Sequence, residues 1–88
     1  MGTCPEYEVR ITPHAERDLD RLSPADYLRI DRRIGLLAQD PRPSGVAKLR
    51  DKTHRIRIGA WRVIYIIDDS MRVVVITAVR RREKDTYR

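Results

Sequence analysis

The apolar positions change period near the middle of the chain. At the start, Tyr7-Glu8-Val9-Arg10-Ile11 alternates apolar and polar residues, which predicts a strand. Thr12-Pro13 then supplies a helix N-cap and a first helical residue. Ala15, Leu19 and Leu22 recur at i, i+4 and i+7, so a short amphipathic helix follows, its outer face carrying Glu16, Arg17, Asp18, Asp20 and Arg21. Ser23-Pro24-Ala25-Asp26 repeats the signal of cap, proline at the first position and an acidic third residue. Tyr27, Ile30, Ile34 and Leu37 form the stripe of a second, longer helix. Asp40-Pro41 closes it, and Pro41-Arg42-Pro43-Ser44-Gly45 is a loop. With almost no linker between them, the two helices are expected to form an antiparallel hairpin.

From residue 46 onward the period is two. Residues 46–50 have room for a short strand, Arg55-Ile56-Arg57-Ile58 alternates, and Gly59-Ala60 makes a tight turn. Residues 61–67 are rich in β-branched and aromatic side chains. Asp68-Asp69-Ser70 is a second turn, with Asp68 and Asp69 read as turn residues, and 72–79 is a further apolar strand. The principal order is β-α-α-β-β-β, an α+β fold with a helical hairpin packed on a curved antiparallel sheet. Residues 1–88 read as one domain.

Charge adds a partner class to this picture. Hydrophobic residues make up 41% and charged residues 36%, as in a folded domain with a charged exterior rather than a disordered chain. Lys plus Arg is 19 against 13 Asp plus Glu, a net charge of +6. Lys48, Lys52 and Lys84 are the only lysines, so the excess is arginine, the residue suited to bidentate phosphate contacts and to stacking on bases. This balance favours a polyanionic partner, RNA or an acidic protein. Cys4 is the single cysteine, so no disulfide framework can form within the chain. Residues 1–12 lack the apolar stretch of a signal peptide, and no apolar run approaches a membrane-spanning length; the expected location is the cytoplasm.

The candidate chemistry is arginine-based. If Ile56 and Ile58 face the core, Arg55 and Arg57 project together from the other side, as a phosphate site or as a solvated polar face. Arg62 opens an otherwise apolar strand. On a hairpin it falls beside Arg55 or Arg57, and clustered like charges require an anion unless the side chain runs out to water. The tail Arg80-Arg81-Arg82-Glu83-Lys84-Asp85-Thr86-Tyr87-Arg88 is basic. Tyr87 could stack on a base and supply a hydroxyl, or fold back on the sheet as a capping aromatic. His14 and His54 lack ligand-spaced partners, so no metal site or other cofactor is expected. His54 is the one group near these arginines that titrates near neutrality, a proton acceptor or a surface histidine.

The run Leu49-Arg50-Asp51, with Arg55-Ile56-Arg57-Ile58-Gly59-Ala60-Trp61-Arg62-Val63-Ile64-Tyr65-Ile66-Ile67-Asp68 and the basic tail, resembles the RelE/ParE toxin superfamily. The resemblance covers nearly the whole chain, including Pro13-His14-Ala15. It implies a toxin of a type II toxin–antitoxin pair. Members of RelE type cut messenger RNA in the ribosomal A site without a metal: the RNA's own 2′-hydroxyl attacks the adjacent phosphate, leaving a 2′,3′-cyclic phosphate and a free 5′-hydroxyl. The implied catalytic set is Arg57, Arg62, Arg81 and Tyr87, with Arg55, Arg80, Arg82 and Lys52 binding RNA phosphates; the register of the tail leaves Arg80 and Arg82 as alternatives to Arg81. The best-known RelE enzyme has lysines where this chain has Arg55 and Arg57. A guanidinium stays protonated, so these two stabilise charge rather than remove a proton. Proton removal then falls to Tyr87, His54 or a ribosomal group.

Two other readings share the fold. One is a ParE-type inhibitor of DNA gyrase. The other is a non-catalytic basic module that binds RNA or protein through charge. Both toxin readings imply a cognate antitoxin. Its folding-on-binding segment is expected to cover the sheet face or displace the tail, packing on exposed Val and Ile at the helix edges. Ribosome and mRNA are the further partners of the RelE reading.

Overall fold

The computed structural model describes residues 7–81. The elements are β1 (Glu8–Ile11), α1 (Pro13–Asp20), α2 (Pro24–Leu36), β2 (Ala47–Arg50), β3 (Thr53–Ile58), β4 (Trp61–Asp68) and β5 (Val73–Arg81). They form an α+β fold in which the helical hairpin packs on one face of a five-stranded sheet, ordered β1-β5-β4-β3-β2. Residues 47–50 are a strand in their own right, so the order β-α-α-β-β-β gains one member at the sheet edge. The pairs from β2 through β5 are antiparallel, whereas β1 runs parallel to β5, with Glu8 facing Val73 and Ile11 facing Ile76. The parallel pair follows from connectivity: the chain leaves β1 through the helices and returns beside it only with its last strand.

Both helices start as their caps dictate. The Thr12 hydroxyl accepts from the Ala15 N–H at 3.1 Å, and the Ser23 hydroxyl from the Asp26 N–H at 3.2 Å, with Pro13 and Pro24 at the first helical positions. Ala15, Leu19, Ile30, Ile34 and Leu37 are buried against Ile56, Ile58, Val63, Tyr65, Ile67, Val74, Ile76 and Val79. Tyr27, placed in the second helix's stripe by spacing, is instead 39% exposed. The Gly59-Ala60 turn connects β3 to β4, with Ile58 facing Trp61. Gly59 has φ +62, and a Cβ there would lie 2.6 Å from the Arg29 guanidinium of α2. Among the described residues no helix is long and apolar enough to cross a membrane.

The far end of the sheet is tied by polar contacts. The buried Tyr65 hydroxyl donates to the Pro41 carbonyl at 2.8 Å, and burial pushes its pKa up to about 12. Asp68 behaves as a turn residue, accepting from the Ser70 hydroxyl and the Met71 N–H. Asp69 does more. It accepts from the Tyr7 hydroxyl at 2.6 Å and from Arg42 at 2.9 Å, joining the start of β1, the loop after α2 and the β4–β5 turn. The Arg42 guanidinium and the Tyr7 hydroxyl hold its carboxyl below the usual carboxylate range.

One irregularity shapes the rest. The β4–β5 register shifts between Ile64 and Tyr65: Ile64 faces Ala78, and Tyr65 faces Ile76. Thr77 is the extra residue of this β-bulge, and its hydroxyl donates to the Ile64 carbonyl at 3.1 Å. Before the bulge, the even residues Val74 and Ile76 of β5 face the helices. After it, Val79 does.

Candidate RNA-binding face

The bulge decides which tail arginine meets Arg62. Side chains alternate along β3 and β4: His54, Ile56 and Ile58 are buried on the helix side, as are Val63, Tyr65 and Ile67. Arg55, Arg57 and Arg62 therefore point to the opposite, open face. Arg57 faces Arg62, and Arg62 faces Arg80. The three lie in one cross-strand row, with about 4.5–5.5 Å between facing Cα atoms. Arg55 lies on the same face two residues along β3, opposite Ile64.

Arg81 is placed elsewhere. It faces Trp61 on the helix side, with its guanidinium carbon 5.7 Å from the indole centroid. Without the bulge, the alternation Val73, Val75, Thr77, Val79, Arg81 would have put Arg81 in the row and Arg80 behind it. Lys52 is not brought to the row either. It precedes β3 at the opposite end from Gly59, five residues from Arg57, which is roughly 17 Å along a strand. There its amine lies 4.0 Å from Asp68. Arg82 and Tyr87 lie outside the described residues.

The electrostatics of the row are unbalanced. Among the described residues none of Arg57, Arg62 and Arg80 forms an ion pair. Two unit charges about 5 Å apart repel by roughly 1 kcal/mol even at the dielectric of water. Arg57 and Arg80 are exposed and can spread their charge into solvent, but Arg62 between them is half-buried. Its Nε is shielded from solvent and has no hydrogen-bond partner among the described residues. A buried donor on a charged group carries a desolvation cost that an anion bridging the row would offset. Chemically, the row can hold a phosphate and stabilise negative charge that grows on its oxygens.

His54 does not belong to this face. It is 5% exposed and stacked on Tyr65, with ring centroids 5.9 Å apart. Its Nδ1 lies 2.9 Å from the Lys52 carbonyl, and since a carbonyl only accepts, Nδ1 carries the proton and donates. It is neither a surface histidine nor within reach of the row, because the sheet separates them. Asp18 was also misplaced by spacing, which put it on the outer face of the first helix. Its side chain is only 15% exposed, and it accepts the Val79 N–H at 2.9 Å. β1 ends opposite Ile76, so among the described residues the edge of β5 beyond that point has no strand beside it, and Asp18 satisfies this donor. His14, Asp18 and Arg21, at i, i+4 and i+7, together with Trp61, Val79, Arg80 and Arg81, line a groove of about 540 Å³. The i, i+4, i+7 spacing was the available signal for its helical wall. Among the described residues no three His, Cys, Asp or Glu side chains gather as a metal site would require.

Beside the arginines, the open face carries half-buried Ile64, Ile66 and Val75. The most exposed large apolar side chains are Leu28, Leu36, Leu49 and Met71 rather than the expected Val and Ile.

Comparison with known proteins places this geometry in a family. Residues 9–86 match the family described as the ParE toxin of the type II toxin–antitoxin system parDE. The RelE1 protein of Methanocaldococcus jannaschii is 29% identical over 83 residues, covering 89% of this chain and 92% of that protein. Among solved structures, the archaeal RelE–RelB complex from Pyrococcus horikoshii OT3 superposes with a TM-score of 0.84 at 28% identity, over 91% of this chain and 99% of that one. The toxin–antitoxin complex RelBE2 from Mycobacterium tuberculosis gives 0.78 at 33% identity, over 91% and 95%. With its fold and a match over most of its length, the chain belongs to the RelE/ParE superfamily of type II toxin–antitoxin toxins and closely resembles the RelE-like members.

Proposed function

We propose that this toxin is a metal-independent endoribonuclease that cuts messenger RNA in the ribosomal A site. The observation that carries the reading is the Arg57–Arg62–Arg80 row with the solvent-shielded Nε of Arg62, unpartnered among the described residues, at its centre. In this reaction the 2′-hydroxyl loses its proton, its oxygen bonds to the adjacent phosphorus, and the bond from phosphorus to the 5′-oxygen breaks as that oxygen takes a proton. Negative charge grows on the phosphoryl oxygens between those events. Arg62 holds them from the centre of the row and Arg57 and Arg80 from its flanks, with Arg55 binding a neighbouring phosphate. A guanidinium has only donors to offer and makes a poor proton acceptor, so none of the four is assigned as the base. The proton goes to Tyr87 or to a ribosomal group, His54 being on the far side of the sheet. Arg81 is assigned a supporting role rather than a place at the phosphate, Arg82 phosphate binding in the tail, and Lys52 at most a distal contact.

The solved relatives are complexes with the antitoxin RelB, which supports a cognate antitoxin here as well. The apolar strip of Ile64, Ile66 and Val75 beside the row is the surface such a segment would cover.

The decisive experiment maps mRNA 5′ ends on translating ribosomes for wild type, Arg62→Ala and Tyr87→Phe. A-site cuts by wild type that Arg62→Ala abolishes are expected; uncut A-site mRNA with wild type would refute the reading. The match to a family described as ParE favours one alternative, inhibition of DNA gyrase. Loss of supercoiling activity with mRNA intact would establish it. Strongly salt-dependent binding with neither effect would leave a non-catalytic module.

A further inference from the structure

On the other side of the β5 edge from the arginine row lies the groove walled by His14, Asp18 and Arg21 of the first helix and floored by Trp61 and Arg81. Its volume of about 540 Å³ is within the usual range for sites that enclose a small molecule or a part of one. Three properties separate it from an ordinary surface crease. Its aromatic floor is held in place, since Trp61 packs against the core on one side while Arg81 lies over its ring. Its acidic wall is fixed, because Asp18 is anchored to the Val79 N–H at 2.9 Å and lies 3.6 Å from the His14 ring. Its balance is positive, with Arg21, Arg80 and Arg81 against the one carboxylate.

Arg80 connects this groove to the row. It faces Arg62 on the open side and also lines the groove, because among the described residues β5 has no neighbouring strand beyond Ile76. Adjacent residues are about 3.8 Å apart along the chain, so Arg80 and Arg81 present one cation to each side of the same edge. A strand whose phosphate sits in the row can turn over this edge and deliver its neighbouring base to Trp61 and Arg81.

We infer that the Trp61–Arg81 groove is a second subsite of the same RNA surface, binding one unpaired nucleobase next to the phosphate held by Arg62 and Arg80. The base stacks on the outer face of the Arg81 guanidinium, which the Trp61 ring backs, since every base has a π-face and a guanidinium plane stacks as an aromatic ring does. Asp18 accepts from the base's donors, and Arg21 neutralises the backbone beyond it. This subsite rests on the RNA reading of the arginine row, but it is a binding property and does not need cleavage to be observed.

Trp61 is the only tryptophan in the chain, so its fluorescence reports on this groove alone. The probe is a short single-stranded oligonucleotide, dye-labelled and 2′-deoxy at every position so that it cannot be cut. Its binding to the full chain is followed by anisotropy and, in parallel with an unlabelled copy, by Trp61 emission. Saturable quenching with the same midpoint as the anisotropy change is expected. Arg62→Ala should move both midpoints together and leave the quenched endpoint in place. Trp61→Ala should weaken binding at least about fivefold with circular dichroism unchanged. Arg81→Met, which keeps the length of the side chain and removes the cation, tests the groove if Trp61→Ala fails to fold: it should weaken binding and reduce the quench. Binding with no change in Trp61 emission would overturn the subsite and leave the row's assignment intact. Equal quenching by an oligonucleotide made abasic throughout would overturn base stacking. Quenching by polyglutamate and not by the oligonucleotide would make the groove a protein-docking surface instead. No binding to the oligonucleotide at all would overturn the subsite, while A-site cleavage on programmed ribosomes decides the RNA reading separately.

Discussion

The sharpest consequence of the bulge at Thr77 is that two adjacent arginines, alike in sequence, stand on opposite faces of the sheet and are predicted to contribute differently. Arg80→Ala and Arg81→Ala each remove one cation from the same strand end. Only Arg80 stands in the row with Arg62 and Arg57, while Arg81 lies over Trp61 on the other face. A hydrogen bond to a charged group contributes about 1.5–3 kcal/mol. If Arg80 makes one such bond to the phosphate in the transition state, its removal slows cleavage by about 10- to 150-fold at saturation. Losing Arg81 removes the guanidinium on which the neighbouring base is proposed to stack, a cation–π contact of about 0.5–1 kcal/mol at an exposed site, roughly two- to fivefold, and that loss falls on binding. The salt dependence should separate them too, with the slope of log K against log salt falling by about 0.7 when one phosphate contact to a single strand is lost through Arg80→Ala. Stability supplies a further sign. Taking a positive charge out of an unpaired row removes repulsion, so Arg80→Ala should unfold at the same urea midpoint as wild type or a higher one. The assay is single-turnover cleavage of A-site mRNA on programmed ribosomes with toxin in excess, over a titration of toxin. An Arg81→Ala variant whose saturating rate falls as far as that of Arg80→Ala would refute the reasoning, as would an Arg80→Ala variant cleaving at the wild-type rate.

Four further outcomes concern the scaffold. Gly59→Ala should destabilise the chain by about 1–2 kcal/mol in urea unfolding, because φ +62 disfavours a Cβ, and Gly59→Asn should recover part of the loss. Tyr65→Phe should cost about 1–2 kcal/mol, since the Pro41 carbonyl loses its buried donor. The same hydroxyl predicts alkaline behaviour: its folded pKa of about 12 lies above the ordinary 10, so its contribution is complete below pH 10 and declines as pH rises from 10 to 12, a decline that Tyr65→Phe should lessen in unfolding measured across that window. Asp18→Ala should cost about 1–2 kcal/mol by orphaning the Val79 N–H, whereas Asp18→Asn, which keeps an accepting oxygen, should cost less; equal losses would mean that charge rather than the hydrogen bond matters.

Much of this protein is written in local pattern. Thr12-Pro13 and Ser23-Pro24 set the starts of both helices, Gly59-Ala60 sets the β3–β4 turn, and the alternation Arg55-Ile56-Arg57-Ile58 sends both arginines to the face away from the helices. These are legible because caps, turns and strand parity depend on residues only a few positions apart. His54 was harder to read. It shares the parity of Ile56, which places it in the core, yet its polarity argued for the surface; the Lys52 carbonyl and the Tyr65 ring, brought to it by the fold, resolve the conflict. The parallel pairing of β1 with β5 and the capture of the Val79 N–H by Asp18 join residues more than sixty positions apart, and no local signal encodes them.

The arginine row shows the division most clearly. The sequence by itself determined that arginines crowd the end of the last strands and that Arg55 and Arg57 share a face, with Arg62 beside one or the other. It did not determine which member of Arg80-Arg81-Arg82 joins them, because side-chain direction along a strand has period two and one extra residue reverses it. That residue is Thr77, bulged where β5 passes from the partnered edge beside β1 to the free edge beyond Ile76, and its place is set by how β4 and β5 pair across the whole sheet.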